Sequence, residues 1–294
     1  MRAITYSAYG GPEVLRLSEI AVPEPGPGQV RLAVRVAGVN PIDWKIRNGF
    51  MRDNFPVKFP HIPGFEVAGV VDAVGDGAGF AVGDEVFGWP ETGGYAEYTL
   101  ARTVVPKPAA LSWADAAALP VAGEAALRVL GLLGIRQGDT LLIHGASGTV
   151  GRFAAQAALA QGATVIGTGG SRSLDDLRSL GVTPVRYGDG WLDRVREAGA
   201  VDAVFDAAGH GVLPGSLELL GSKDRIVTIA DAAAFELGIQ FSGESDQTVE
   251  MLTRITESGL RVTQGASYPL EEAAAALTES ESGHPGGKLT LAVN

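Results

Sequence analysis

A glycine-rich turn between an apolar run and a helical pattern is the segment of the sequence best suited to bind a ligand. Residues 141–151 read LLIHGASGTVG, with three glycines in the spacing G-x-x-G-x-x-G. Glycines in such a turn let a pyrophosphate approach main-chain N–H groups at a helix N-terminus, where the helix dipole favours an anion. A succession of strands and helices follows, as a dinucleotide site requires. We therefore predict dinucleotide binding by Gly145, Ala146, Ser147, Gly148, Thr149, Val150 and Gly151.

The end of the next predicted strand bears on the choice between NAD and NADP. An acidic residue about 20 residues beyond the glycine turn typically binds the ribose 2′-hydroxyl of NAD. Residues 167–172 read GTGGSR instead, and no acid occurs before Asp175. A serine hydroxyl and an arginine can hold a 2′-phosphate through charge-assisted hydrogen bonds. The sequence predicts NADPH, bound here by Thr168, Gly169, Ser171 and Arg172; the alternative is that Arg172 is only a solvated residue of a first helical turn.

Two kinds of pattern divide the chain into elements that would position these residues. Up to about residue 115, short runs alternate polar and apolar residues with period two, as at 2–6, 29–36, 65–71 and 85–88, which indicates a β domain. From Ser112, a predicted helix N-cap, strands alternate with alanine-rich helices. Strands are predicted at 140–144, 164–167, 183–187, 201–206 and 225–229. Their long crossovers require parallel pairing, so the second half is predicted to be a doubly wound sheet.

Composition excludes several classes of protein. The 294 residues include no cysteine, and none of the four histidines has HxxH or HExxH spacing, so we expect no disulfide and no metal. A net charge of −11 without a basic stripe makes nucleic acid an unfavourable partner. No apolar run is long enough for a membrane span, and the N-terminus shows no leader pattern. We expect a soluble, cytoplasmic protein that acts on a small molecule.

Several short motifs spread along the chain resemble the medium-chain dehydrogenase/reductase superfamily, in its zinc-free quinone oxidoreductase branch. Besides the glycine turn they are GVNPIDWK at 38–45, PGFEVAG at 63–69, VGDEVFG at 82–88, GGYAEY at 93–98 and GK at 287–288. The resemblance implies an α/β protein with a GroES-like β domain at 1–118 and 262–294. It further implies a Rossmann domain, a doubly wound parallel sheet that holds NADPH, at 119–261. The active site is expected in the cleft between the two domains.

The resemblance also implies roles for individual residues. It places the amide of Asn40 beside the nicotinamide and the acceptor oxygen as the catalytic group, although an asparagine that caps the turn before Pro41 is the alternative. Substrate contacts are expected from Ile42, Lys45 and Phe241. The remaining cofactor contacts are expected from Ala208, Gly209, Ile229, Ala230 and Lys288. Tyr187, after the third predicted strand, is expected to flank the adenosine part, with a core or surface aromatic as the alternative.

Some positions depart from the pattern of the superfamily or leave their role open. Zinc-dependent relatives have a histidine before the glutamate, where this chain has Phe65 before Glu66, so activity is expected to be independent of zinc. Glu66 is expected to accept backbone hydrogen bonds, with a proton relay through His61 as the alternative. Ala125 replaces a threonine that faces the cofactor in many relatives. His144 is expected to be a hydrogen-bonded core residue.

Together these observations predict an NADPH-dependent reductase that transfers a hydride to a quinone or an activated alkene. An enone or enoyl-thioester reductase of a biosynthetic pathway and a non-catalytic NADPH-binding sensor are the alternatives. Lys45 and Tyr95 are the plausible proton donors, but water would suffice, so no general acid is assigned. Residues 237–242, LGIQFS, are predicted to form an edge strand that pairs with its own copy in a homodimer.

Overall fold

The computed structural model describes residues 1–53, 55–283 and 286–293 and divides the chain into two compact units. Unit 1 comprises Met1–Val121, Gln247–Glu257 and the chain from Arg261 onward. Unit 2 comprises Ala122–Asp246 and Ser258–Leu260. In the described ranges, none of the helices is long and apolar enough to cross a membrane.

Strands predominate up to Pro106, and helices alternate with strands after it. The strands are β1 (Arg2–Thr5), β2 (Arg16–Glu19), β3 (Val30–Gly38), β4 (Val67–Val74), β5 (Glu85–Trp89), β6 (Tyr98–Ala101), β7 (Thr103–Pro106), β8 (Thr140–His144), β9 (Thr164–Gly169), β10 (Thr183–Arg186), β11 (Ala203–Asp206), β12 (Ile226–Thr228), β13 (Gln240–Phe241), β14 (Gln264–Pro269) and β15 (Lys288–Ala292). The α-helices are α1 (Pro41–Arg47), α2 (Trp113–Ala117), α3 (Leu119–Leu133), α4 (Thr149–Ala160), α5 (Leu174–Ser179), α6 (Trp191–Ala198), α7 (Leu213–Leu220), α8 (Ala234–Leu237), α9 (Val249–Glu257) and α10 (Ala273–Glu281). Short 3₁₀ turns lie at Pro12–Val14, Ser171–Ser173 and Leu270–Glu272.

Unit 1 is built around a sheet of strand order β14-β15-β3-β4-β5-β7, with β6 also paired to β3. The alternating pattern of β3 buries Val30, Leu32 and Val34 in the apolar core of this unit, as period two requires. The last strand of the chain, β15, runs antiparallel to β3 with Thr290 opposite Gly38. This register brings Lys288 next to the start of α1, although the two are far apart in the sequence.

Unit 2 contains a six-stranded sheet of order β10-β9-β8-β11-β12-β13 in which every pair is parallel. The order reverses next to β8, because β9 and β10 lie on one side of it and β11, β12 and β13 on the other. Apolar residues from the strands and flanking helices, among them Leu142, Ile166 and Val204, form its core. The predicted doubly wound parallel sheet is confirmed.

Residues 237–242 do not form the continuous edge strand that the sequence predicts. Leu237 ends α8, and Gly238 follows it with a φ of 64°, in the left-handed region that glycine favours at a helix end. The N–H of Ile239 donates to the carbonyl oxygen of Ala234 at 2.9 Å, so it completes the helix end rather than a strand ladder. Only Gln240–Phe241 remain as β13 at the edge of the sheet.

Helix α9 belongs to unit 1, whereas the sequence-based boundary at residues 261 and 262 assigned it to the Rossmann domain. Its buried residues include Met251 and Leu252, and a Cβ added to Gly88 of β5 would lie 3.1 Å from Leu252 Cδ1. The apolar face of the helix therefore packs on the sheet of unit 1. The hydrophobic pattern of the sequence does not reveal which sheet a helix packs on. The packing of α9 in the structure assigns it to unit 1.

Candidate functional site

The glycine turn of unit 2 joins β8 to α4 in a compact arrangement. Gly145 has a φ of 76°, and a Cβ added to Gly151 would lie 2.2 Å from the carbonyl oxygen of Gly145. The first bond within the helix runs from the N–H of Arg152 to the carbonyl oxygen of Gly148 at 2.8 Å. The N–H groups of the first turn, up to Gly151, consequently have no acceptor within the helix. They form a set of donors to which an anion can bind.

Thr168 of β9 holds this turn in place. Its carbonyl oxygen accepts the N–H of Ala146 at 3.0 Å, and its hydroxyl accepts the N–H of Gly145 at 3.1 Å. Thr168 is only 2% exposed. We predicted that Thr168 contacts the cofactor, and the structure shows its polar groups supporting the glycine turn.

The end of β9 is closely packed at Gly169, which is buried. A Cβ added to Gly169 would lie 2.7 Å from Ser173 Oγ and 3.0 Å from Leu177 Cδ1, so only glycine fits without a shift of these side chains. The N–H of Tyr187 donates to the carbonyl oxygen of Gly169 at 3.1 Å, and Tyr187 is 54% exposed. Tyr187 therefore stands beside the strand end where the adenosine ribose is expected. Ser173 was not among the predicted residues, because only the folded turn brings it back to Gly169.

The arginines near this strand end differ in their partners. Arg152 pairs with Asp176, with Nη2 3.2 Å from Oδ1, and Arg178 pairs with Asp175. Arg172 is exposed and makes no hydrogen bond or ion pair with any residue that the structure describes. Of these three side chains, the guanidinium of Arg172 is therefore the one available to an external anion.

Loops that follow β11 and β12 complete this edge of the sheet. Asp206, at the end of β11, accepts the N–H groups of Ala208 at 3.0 Å and of Gly209 at 2.8 Å. Ile229 donates its N–H to the carbonyl oxygen of Asp206 at 3.0 Å. Burial raises the pKa of Asp206, although the hydrogen bonds that its carboxylate accepts from Thr228, Gly209 and Ala208 oppose the shift.

All these groups lie at the carboxyl ends of parallel strands around the point where strand order reverses. That is the place where doubly wound sheets bind ligands, and a dinucleotide extends across it. The N–H groups at the start of α4, which have no acceptor within the helix, and the guanidinium of Arg172, which has no partner among the described residues, are the groups of this edge that an anionic ligand could bind.

His144 acts as a core residue, as predicted. It is 1% exposed, its Nε2 lies 3.2 Å from Ser216 Oγ, and its ring packs edge-on against Trp191 at 4.6 Å. Ser216 Oγ donates to the carbonyl oxygen of Val212, so it accepts from His144. Burial lowers the pKa of His144 to about 3, which keeps the imidazole neutral near pH 7.

A buried ionic cluster in unit 1 surrounds the predicted catalytic amide. Asn40 Nδ2 donates to Glu66 Oε1 at 2.8 Å, and Lys288 Nζ donates to Asn40 Oδ1 at 2.5 Å. Lys288 also forms an ion pair with Glu66. The exposed fractions of Asn40, Glu66 and Lys288 are 5%, 0% and 2%. The nitrogen and the oxygen of the Asn40 amide and the ammonium of Lys288 therefore all have hydrogen-bond or ion-pair partners within unit 1. A contact of Asn40 or Lys288 with cofactor or substrate, as predicted, would be made in addition to these bonds.

Glu66 also accepts the backbone N–H of Val121 at its Oε2, at 2.8 Å. The prediction that this glutamate accepts backbone hydrogen bonds is confirmed, and its side-chain partners Asn40 and Lys288 come in addition. The backbone of His61 pairs with that of Tyr6 in an isolated β-bridge, and the two rings pack edge to face with their centres 5.3 Å apart. Burial lowers the pKa of His61.

Asp43, a residue outside the predicted site, lies beside this cluster at the first turn of α1. Its Oδ2 accepts the backbone N–H of Asn40 at 2.7 Å and the hydroxyl of Tyr95 at 2.8 Å. Burial raises the pKa of Asp43 to about 7, against the opposing effect of these hydrogen bonds and of Lys288. Asn40 is the N-cap residue of α1 and forms a capping box with Asp43 at the third helical position, so the alternative role of Asn40 as a capping residue agrees with the structure.

The predicted proton donors and substrate residues have different surroundings. Tyr95 is fully buried, and its hydroxyl donates a hydrogen bond to Asp43. Burial also raises its pKa well above the usual range, so the hydroxyl is not available to donate a proton to a substrate. Burial lowers the pKa of Lys45, whose Nζ lies 5.8 Å from the centre of the Trp44 ring, although nothing in the sequence indicates a shift. Ile42 is half-buried in α1 of unit 1. Phe241 packs against Phe235 of unit 2, with ring centres 5.1 Å apart.

The described residues include no group of three or more histidines or carboxylates placed to hold a metal ion. Phe65, the residue before Glu66, offers no ligating atom.

Two family models match the chain. The alcohol dehydrogenase GroES-like domain matches residues 26–109, and the zinc-binding dehydrogenase model matches residues 149–274. A quinone oxidoreductase of Rattus norvegicus is 31% identical, with 98% of this chain and 96% of the rat protein covered. The crystal structure of an NAD-dependent alcohol dehydrogenase is 31% identical with a TM-score of 0.86, covering 100% of both chains. The structure of a mycobacterial protein complexed with NADPH is 26% identical with a TM-score of 0.87, covering 99% of this chain and 100% of that one.

A GroES-like domain combined with a Rossmann domain defines the medium-chain dehydrogenases/reductases, a class of oxidoreductases that use a pyridine nucleotide. Within that superfamily the chain belongs to the quinone oxidoreductase branch. The fold and the family that the motifs of the sequence implied are both confirmed.

Proposed function

We propose that the protein is an NADPH-dependent, zinc-independent reductase that transfers a hydride to a quinone or an activated alkene. The observation that carries the proposal is the end of β9, where Arg172 has no partner among the described residues and no carboxylate occupies the place that would bind the 2′-hydroxyl of NAD. A carboxylate at that place would repel a 2′-phosphate, whereas the guanidinium of Arg172 and the hydroxyl of Ser171 would bind it.

The remaining residues of unit 2 would bind and orient the cofactor. The N–H groups at the start of α4 would hold its pyrophosphate, and Tyr187 would stand beside its adenosine. When bound, the nicotinamide would supply the hydride. The chain's own contribution is to hold the reacting carbon atoms in line and to exclude water.

Zinc independence is supported by the chemistry of the side chains at the position where zinc-dependent relatives bind their metal. Phe65 has no ligating atom, and the chain contains no cysteine. Hydrogen bonds would then be the means of polarising the acceptor, which favours compounds that are already electron-poor, such as quinones and conjugated alkenes.

A panel of acceptors tests the proposal directly. NADPH oxidation by the purified protein would be followed with p-benzoquinone, a conjugated enone, an enoyl thioester and a simple ketone, each also with NADH. We expect turnover of the quinone or the enone with NADPH, and little with the ketone. Tight NADPH binding without turnover of any acceptor would favour the NADPH-binding sensor, and preference for the enoyl thioester would favour the biosynthetic reductase.

A further inference from the structure

Two buried polar side chains stand next to each other at the ends of adjacent strands of unit 2. Asp206 ends β11 and Thr228 ends β12, and the parallel register places them opposite one another. The hydroxyl of Thr228 donates to Asp206 Oδ2 at 2.7 Å, and both residues are 0% exposed. Burying this pair away from solvent is tolerable only because each polar atom has a partner.

Asp206 fixes the loop that follows its own strand. Its second carboxylate oxygen, Oδ1, accepts the N–H groups of Ala208 and Gly209 at 3.0 and 2.8 Å. The next residue, His210, has a φ of 64°, a conformation that non-glycine residues seldom adopt. The carboxylate therefore holds a loop whose backbone conformation would not be favoured in isolation.

Thr228 fixes the neighbouring loop in the same way. Its hydroxyl oxygen accepts the N–H groups of Ala230 at 3.0 Å and of Asp231 at 3.1 Å while its proton is donated to Asp206. Asp231 in turn accepts the N–H of Gly211 at 3.3 Å, so the two loops are also joined at their outer ends. Through these bonds, the position of one loop depends on that of the other.

We propose that Asp206 and Thr228 are positioning residues for the nicotinamide half of the cofactor, an inference that rests on the proposed function. The strand β9, with Arg172 beyond its end, lies on one side of β8, whereas β11 and β12 lie on the other. A dinucleotide that spans the reversal of strand order with its adenosine at β9 places its other half at the loops after β11 and β12. The two side chains act on the cofactor through the loops that they hold.

Thr228→Val tests this role, since it keeps the shape of the side chain but removes the hydroxyl. The N–H groups of Ala230 and Asp231 then lose their acceptor, and Asp206 loses a donor. Two ligands separate the halves of the site: NADPH, and adenosine 2′,5′-bisphosphate, which lacks the nicotinamide half. We expect the Kd of NADPH to rise by roughly tenfold, the effect of one lost buried hydrogen-bond set. The Kd of adenosine 2′,5′-bisphosphate should stay unchanged, and Thr228→Ser should restore NADPH binding.

Thr99→Val in unit 1 is the matched control, because Thr99 is also 0% exposed and its hydroxyl lies 2.9 Å from that of Thr92. It should leave the Kd of both ligands unchanged while showing the general effect of deleting a buried hydroxyl on the melting temperature. Asp206→Asn is a second variant in case Thr228→Val does not fold. The single oxygen of the asparagine amide can accept either the loop N–H groups or the Thr228 hydroxyl, but not both. We therefore expect the same weakening of NADPH binding without a change in the Kd of adenosine 2′,5′-bisphosphate.

Equal weakening of both ligands, or no change in either, would overturn the positioning role. Failure of the unmodified protein to bind NADPH and adenosine 2′,5′-bisphosphate would overturn the proposed function instead. The two failures are therefore distinguishable in one set of titrations.

Discussion

The carboxylate of Glu66 lies directly against the backbone of Gly38. A Cβ added to Gly38 would come within 2.2 Å of Glu66 Oε1, closer than any non-bonded carbon and oxygen can lie. The backbone holds the same arrangement, because the N–H of Gly38 donates to the carbonyl oxygen of Glu66 at 3.0 Å. Gly38 thus leaves room for the buried acid that binds Asn40, Lys288 and the N–H of Val121.

Gly38→Ala should displace this carboxylate and destabilise the protein. Overpacking of a buried site costs about 1–3 kcal/mol, and the separation of Glu66 from Lys288 would add to that. Urea denaturation would measure the change in the free energy of unfolding. Gly131→Ala in α3 is the control, since a Cβ there meets nothing within 4 Å and alanine favours a helix. Equal stability of the two variants would show that Glu66 can move away at no cost.

Asp43 should make stability depend on pH in the range between its unfolded and folded pKa values. Burial raises the pKa of Asp43 in the folded protein to about 7. The contribution of Asp43 to the free energy of unfolding is therefore fully present below about pH 4, where its carboxyl is protonated in both the folded and the unfolded state. This contribution is lost as the pH rises to 7. Relative to Asp43→Asn, whose amide mimics the protonated acid, the unmodified protein should therefore lose on the order of 4 kcal/mol between these pH values.

Urea denaturation of both proteins at a series of pH values would measure this difference. Asp53→Asn, at a side chain that is 93% exposed, is the control for the general effect of replacing an aspartate by asparagine. A difference between the unmodified protein and Asp43→Asn that is constant from pH 4 to 7 would mean that Asp43 titrates normally.

Arg172→Ala should raise the KM for NADPH far more than the KM for NADH. Losing one charge-assisted pair with the 2′-phosphate costs on the order of 1.5–3 kcal/mol, or roughly ten- to a hundredfold. Initial rates with each cofactor would measure the two KM values. Arg178→Ala, which removes an arginine already paired with Asp175, should change neither. Equal effects of Arg172→Ala on both cofactors would remove Arg172 from the 2′-phosphate site.

Removal of divalent metal should leave the activity unchanged, because Phe65 cannot bind zinc and no cysteine is present. The protein would be dialysed against a strong chelator and assayed before and after addition of zinc. Activity that falls on dialysis and returns with zinc would show that zinc independence is wrong.

We expect a homodimer formed through β13, at the edge of the parallel sheet. The N–H of Ser242 donates to the carbonyl oxygen of Thr228 at 2.8 Å, so the alternation of a strand turns the N–H of Phe241 away from β12. An edge of this kind can pair with its own copy about a two-fold axis. Phe241→Pro removes the outward N–H and should yield monomers on sedimentation. An unmodified protein that sediments as a monomer at micromolar concentration would contradict this, and a dimer insensitive to the proline would place the interface elsewhere.

The sequence by itself determined the features that depend on residues close together in the chain. The glycine spacing at 145–151, the strand before it and the helix after it specify the turn, because backbone conformation and helix ends are set locally. The crossover lengths specify parallel pairing in unit 2, since only parallel strands need a helix to return the chain. The motif set also identified the family, because its members lie along the whole chain.

Only the tertiary structure decided which distant side chains meet and how deeply they are buried. Asn40, Glu66 and Lys288 come from three separate segments, and the register of β15 against β3 brings them together. Burial, which no local pattern reveals, moves the pKa of Asp43 and of Lys45 in opposite directions, because it disfavours the charged form of each. The same holds for the pairing of Asp206 with Thr228, which exists only because β11 and β12 are neighbours in the sheet.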